Sequence, residues 1–132
     1  MKISKRTEYG LRAMVLLANS QKVLSIREIS NIAKMPFEFL SKIFIDLEKA
    51  KLVKAKRGGN GGYCLARPAQ KISVADIVVV LEEDLSVVHC SGCPMAGSCT
   101  SENVWQEVEQ SMSATMGKRT LADLVKKPKS KK

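Results

Sequence analysis

Five residues, Gly58-Gly59-Asn60-Gly61-Gly62, separate two short β-prone stretches, Leu52 to Arg57 and Tyr63 to Ala66. So short a loop between two such stretches predicts an antiparallel hairpin. The segments before it are helical in pattern, so the hairpin is a small β appendage on a helical body. Lys54, Lys56 and Arg57 flank its tip. Glycines let backbone approach a phosphate chain closely, and an arginine beside them can enter a minor groove whose narrow A/T-rich segments attract cations. By itself this pattern also fits a plain solvent-exposed hairpin; the helices and charge around it favour a wing that touches nucleic acid.

Three helices are expected ahead of the wing. Thr7 to Asn19, free of proline and with Gly10 as its only glycine, is dominated by Leu, Ala, Met and Val. Ser25-Ile26-Arg27-Glu28 has the S-x-x-E form of a capping box, which opens a second helix running to about Ala33. Pro36 suits the first turn of a third helix, in which Phe37, Leu40, Ile43, Phe44 and Leu47 recur at three- and four-residue spacing. The opposite face carries Glu38, Ser41, Lys42 and Lys49. Two short helices joined by a tight turn, the second with polar and cationic side chains outward, form a helix-turn-helix candidate.

Charge divides the chain. Residues 1 to 57 hold 13 Lys/Arg against 5 Asp/Glu, whereas residues 58 to 125 hold 4 against 8, and 5 more Lys follow. A basic segment releases counterions from a polyanion and an acidic one resists lying on it, so nucleic acid is expected on the N-terminal half. The expected organisation is a winged helix-turn-helix DNA-binding region over 1–70, a connecting helix, cysteine loop and dimerisation helix over 71–125, and a basic disordered tail over 126–132. The fold class is mainly α with a small β-hairpin wing. No apolar run approaches the ~20 residues that span a bilayer, and the N-terminal residues lack the pattern of a secretory signal, so no membrane contact and a cytoplasmic location are expected.

Past the wing, Ser73-Val74-Ala75-Asp76 resembles a helix start leading into Ile77 to Glu83. Ser101 is placed to cap a long helix whose Val104, Trp105, Val108, Met112 and Met116 form an apolar stripe, with Gly117 as its end and a short capped helix over Thr120 to Leu124. Such a stripe needs cover; a second subunit would supply it and give a homodimer reading a near-palindromic site, the alternative being cover from the same chain. Between these helices stand Cys90, Cys93 and Cys99. In a reducing compartment a tight cysteine cluster binds metal or does redox chemistry, and thiolates select zinc or iron-sulfur centres. A metal-dependent or redox-dependent transcription regulator is the reading these features suggest. Cys64, in the wing's second strand, reads as a small packed thiol. No phosphate-binding glycine motif or nucleophile-base pattern points to an enzyme.

With these pieces in place the chain resembles the Rrf2-type winged-helix regulators, the group that includes IscR, NsrR, RirA and CymR, and among them IscR most. The resemblance rests on Met1-Lys2-Ile3-Ser4 with Tyr9-Gly10-Leu11-Arg12-Ala13, on Phe39-Leu40-Ser41-Lys42-Ile43-Phe44, on Arg57 through Tyr63 with Leu65-Ala66-Arg67-Pro68, on Trp105 and on Thr120 to Leu124. It implies a dimeric regulator, a repressor in the first instance, whose affinity for double-stranded DNA is set by an iron-sulfur cluster in many members and by thiols or a partner protein in others. Glu38, Ser41 and Lys42 then fall where the family reads bases or phosphates, and Arg57, Gly58, Gly59 and Asn60 form the wing. The gap from Cys93 to Cys99 matches the family, while that from Cys90 to Cys93 is shorter. A fourth ligand is open among Glu8, at a position where NsrR-like members use an acid, Glu102, where IscR-like members place a histidine, and His89. The resemblance leans to a 2Fe-2S cluster over 4Fe-4S. Two other readings stand beside it: a structural zinc held by the cysteines with His89, and a metal-free thiol switch pairing Cys90 with Cys93.

Overall fold

The computed structural model describes residues 2–59, 61–82, 94–95, 97–98 and 100–125. Helix α1 (Lys5–Ser20) starts two residues earlier than the apolar pattern suggests, because Ser4 accepts a hydrogen bond from the Thr7 amide and so caps the helix. Helix α2 (Ile26–Ala33) opens on the expected capping box, with the Ser25 hydroxyl accepting from the Glu28 amide and the Glu28 carboxylate from the Ser25 amide. Helix α3 (Phe37–Lys49) follows with Pro36 just outside it, as the N-cap residue and not within the first turn.

Strands β1 (Val53–Lys56) and β2 (Gly62–Leu65) pair antiparallel, with Val53 opposite Leu65 and Lys56 opposite Gly62. Alternation puts Val53, Tyr63 and Leu65 toward the core and Lys54, Lys56 and Cys64 on the outer face. The hairpin is also stitched to the helical body by a backbone bridge between Leu24 and Tyr63, closed by N–H to O distances of 2.7 and 3.0 Å. That stitch requires Gly62. A β-carbon there would stand 2.4 Å from the Leu24 carbonyl oxygen, and the residue's φ of 154° disfavours any side chain. Gly62→Ala is therefore expected to cost about 1–3 kcal/mol in urea unfolding, with loss of the Leu24 bridge visible as faster amide exchange at Tyr63.

After a 3-10 turn at Ala69–Lys71 come α4 (Val74–Leu81), α5 (Glu102–Lys118) and α6 (Leu121–Val125). Helices α4 and α6 are each opened by reciprocal side-chain to backbone bonds, Ser73 with Asp76 and Thr120 with Asp123. At α5 two expectations fail. Ser101 occupies the N-cap position without making the side-chain cap bond, and the helix runs through Gly117 to Lys118. A glycine inside a helix costs only about 1 kcal/mol, too little to end it. Among the described residues no helix is long and apolar enough to cross a membrane.

One core joins both ends of the chain. Met14 and Leu17 of α1, Leu40, Ile43, Phe44 and Leu47 of α3, Val53 of β1, Ile77 and Leu81 of α4 and Leu121 of α6 are all buried. Arg6 secures α3 and α4 to α1, pairing with the Asp46 carboxylate and donating from Nε to the Leu81 carbonyl at 3.3 Å. Backbone bonds from Val74 to the Arg119 carbonyl and from Leu121 to the Ile72 carbonyl fasten the C-terminal helix beside α4.

Candidate nucleic-acid interface

Burial of Leu40, Ile43, Phe44 and Leu47 fixes the rotation of α3 and leaves Glu38, Lys42 and Lys49 exposed, with Ser41 at their edge. Phe37, expected on the buried face, is 40% exposed and instead carries the Arg27 guanidinium 4.8 Å from its ring centroid. This stacking brings a cation of α2 to the start of α3. The Ser41 hydroxyl donates to the Phe37 carbonyl at 3.1 Å. In this rotamer its one hydrogen is used within the helix, which leaves the oxygen's lone pairs free to accept.

Ile45 completes the exposed face and was not among the residues singled out by pattern. It is 49% exposed and stands three residues beyond Lys42 and four before Lys49. Its position off the buried stripe leaves an apolar side chain on this face, of a kind that can meet a thymine methyl group.

Arg57, Gly58 and Gly59 lie exposed at the wing tip, beyond the exposed Lys54 and Lys56, while Asn60 falls outside the described residues. The Gly61 amide closes the turn by donating to the Gly58 carbonyl at 2.9 Å. A side chain at Gly61 would come within 2.5 Å of the Lys56 carbonyl oxygen, so the tight tip that projects Arg57 depends on it. Tyr63 binds wing to helix. Its ring packs at 5.0 Å on that of Phe44, and burial, followed by the neighbouring Glu48 carboxylate that accepts its hydrogen bond, raises the phenol's pKa. The ring contact thus ties the wing to α3, which presents Lys42 and Glu38, while the Leu24 bridge ties it to the segment that leads into α2.

The metal-ligand candidates are only partly placed. Cys90, Cys93, Cys99 and His89 lie outside the described residues. Glu8 is exposed in the first turn of α1, and Glu102 sits in the first turn of α5, where Gln106 Nε2 donates to it at 3.5 Å. Among the described residues no group of His, Cys, Asp and Glu gathers around a metal position. Cys64 is half-buried on the outer face of the wing, more open than a packed core thiol. The apolar stripe of α5 is not fully buried by the described residues: Val104 is 53% and Trp105 37% exposed, and Ile3, Val108, Met112 and Met116 line a groove of about 640 Å³ along it.

Residues 3–127 match the family described as Rrf2, iron-dependent transcriptional regulator. The chain belongs to the Rrf2 family. It is 33% identical over 132 residues to protein rrf2 of Nitratidesulfovibrio vulgaris, covering 96% of this chain and 88% of that one. Solved structures agree. This Rrf2 regulator superposes with a TM-score of 0.82 on CymR, the global cysteine regulator of B. subtilis, at 28% identity over 95% of this chain and 96% of the other. On T. potens IscR the TM-score is 0.79, at 33% identity over 96% and 87%. The mainly helical body with a two-stranded wing is therefore the architecture of winged-helix regulators, and the family is one of transcriptional regulators, not of enzymes.

Proposed function

We propose that this chain is a cytoplasmic, homodimeric regulator that binds near-palindromic double-stranded DNA, represses from it, and has its affinity set by an iron-sulfur cluster on Cys90, Cys93 and Cys99. The observation that carries the DNA-binding part is the exposed row Glu38, Lys42, Ile45 and Lys49, with the half-buried Ser41 at its edge, on a helix whose other face locks to the cationic wing. The helix would enter the major groove, with Lys42 donating to phosphate or guanine and Glu38 accepting from cytosine, while Arg57 follows the minor groove. Gly58, Gly59 and Asn60 would let the wing backbone come close to phosphate.

The stripe of α5, which the described residues leave partly exposed, supports the dimer, which would present two such helices to two half-sites. Met112→Lys, placing a charge in that groove, is expected to convert dimer to monomer by light scattering at micromolar concentration while leaving the helical circular dichroism spectrum intact.

The donor set suits a cluster: three soft thiolates are the ligands iron-sulfur centres take, and a carboxylate, from Glu8 or Glu102, or the imidazole of His89 would supply a harder fourth donor. A 2Fe-2S cluster is favoured over 4Fe-4S by the IscR-like position of Glu102. Bound there, a cluster supplies reversible redox chemistry. The cysteines lie in sequence between α4 and α5, so the chain's own ligands connect that chemistry to the helix whose stripe would join the two subunits. Likeness to CymR favours a second reading, a thiol switch through Cys90 and Cys93 without metal. Anaerobic purification with iron, sulfide and zinc analysis decides between them. Matched iron and sulfide, with occupancy falling several-fold in each Cys→Ser variant at 90, 93 and 99, is the expected result; stoichiometric zinc, or no metal after reconstitution, would leave the structural-zinc or thiol-switch regulator.

A further inference from the structure

On the side of the wing away from α3 lies a groove of about 740 Å³, within the size of small-molecule sites, roughly 300–1,000 Å³. Its floor is apolar, built from Leu17 of α1, Leu65 of β2 and Ala69 of the 3-10 turn. Lys22, Lys56 and Arg67 stand around it, and Cys64 lies in its wall. Among the described residues no Asp or Glu lines it, and none of α3 contributes. Arg67 is held in place by donating to the Lys71 carbonyl at 3.2 Å and by Asp76 at 4.0 Å, while Lys22 and Lys56 are exposed.

We infer that this groove binds a small amphipathic carboxylate, its apolar body on Leu17, Leu65 and Ala69 and its anionic head among Lys22, Lys56 and Arg67. Charge complementarity selects this occupant. Lys22 and Lys56, with Arg67 whose charge Asp76 meets from one side only at 4.0 Å, attract an anion, while the apolar floor gains nothing from an ion lacking a hydrocarbon part. The chain's own Lys126–Lys132 segment repeats the charge of the rim and is therefore a poor occupant. Because Lys56 and Cys64 belong to the wing and Leu17 and Lys22 to α1 and its exit, the ligand bridges hairpin and body. It draws Lys56 away from DNA phosphate, which makes the site a route by which a metabolite can tune DNA affinity.

Octanoate is the probe, titrated by calorimetry into the full-length protein without DNA, so the result is independent of the proposed DNA and cluster functions. Cys64 is an internal reporter, its alkylation by iodoacetamide read by peptide mass. Saturable octanoate binding that slows Cys64 alkylation is expected. Lys22→Glu, at an exposed position where folding is not at stake, should weaken binding at least about tenfold, and octanamide and inorganic phosphate should bind at least about tenfold less tightly. Absence of saturable binding, unchanged Cys64 reactivity at saturation, undiminished binding to Lys22→Glu, or equal binding of octanamide or phosphate would each overturn the proposal.

Discussion

Phe44→Ala is expected to lower stability by about 3–5 kcal/mol, a large share of the roughly 5–15 kcal/mol that holds a domain of this kind together. Phe44 is fully buried, packs on the Tyr63 ring, and belongs to the core shared by α1, α3, the wing and α4. Truncation removes apolar area and leaves a cavity that the surrounding helices cannot close, because Arg6 clamps α1, α3 and α4 together. Urea unfolding followed by circular dichroism measures it. Ile45→Ala, one residue along, is the control: it is 49% exposed and should change stability by no more than about 0.5 kcal/mol. Equal losses at the two positions would mean that α3 is rotated from the orientation described.

Removing Lys42 and Arg57 together, each to alanine, should weaken binding to a cognate duplex about a hundredfold near physiological salt. It should also reduce the slope of log affinity against log salt by about 2, since each lost phosphate contact retains about one fewer displaced counterion. Both side chains are exposed, on elements joined through Phe44 and Tyr63, so they can engage one duplex together. Fluorescence anisotropy across a salt series measures both quantities. Glu38→Ala should behave differently, relaxing base preference without lowering the salt slope, because a carboxylate reads an amino group and releases no cation from phosphate. An unchanged slope in the double variant would remove α3 and the wing from the interface.

The features legible from sequence were those set within a few residues of one another. The boxes at Ser25–Glu28 and Thr120–Asp123 close over three residues, so their letters predict their bonds. The buried face of α3 follows from helical periodicity, and the hairpin from five turn residues between two β-prone stretches. Local pattern failed where a distant partner decided. Phe37 fits the apolar stripe yet stacks on Arg27, and Cys64 reads as packed yet borders a groove. Gly117 reads as a stop but lies inside α5.

By itself the sequence determined the capped starts of α2, α4 and α6, the wing, the division of charge and the presence of three clustered thiols, because these depend on neighbouring residues and on composition. Only the tertiary structure decided how α3 is rotated, why Gly62 must be glycine beneath Leu24, and which cations surround the groove behind the wing. Those depend on contacts between residues far apart in the chain, whose geometry follows from the packing of a single shared core and not from the spacing of letters.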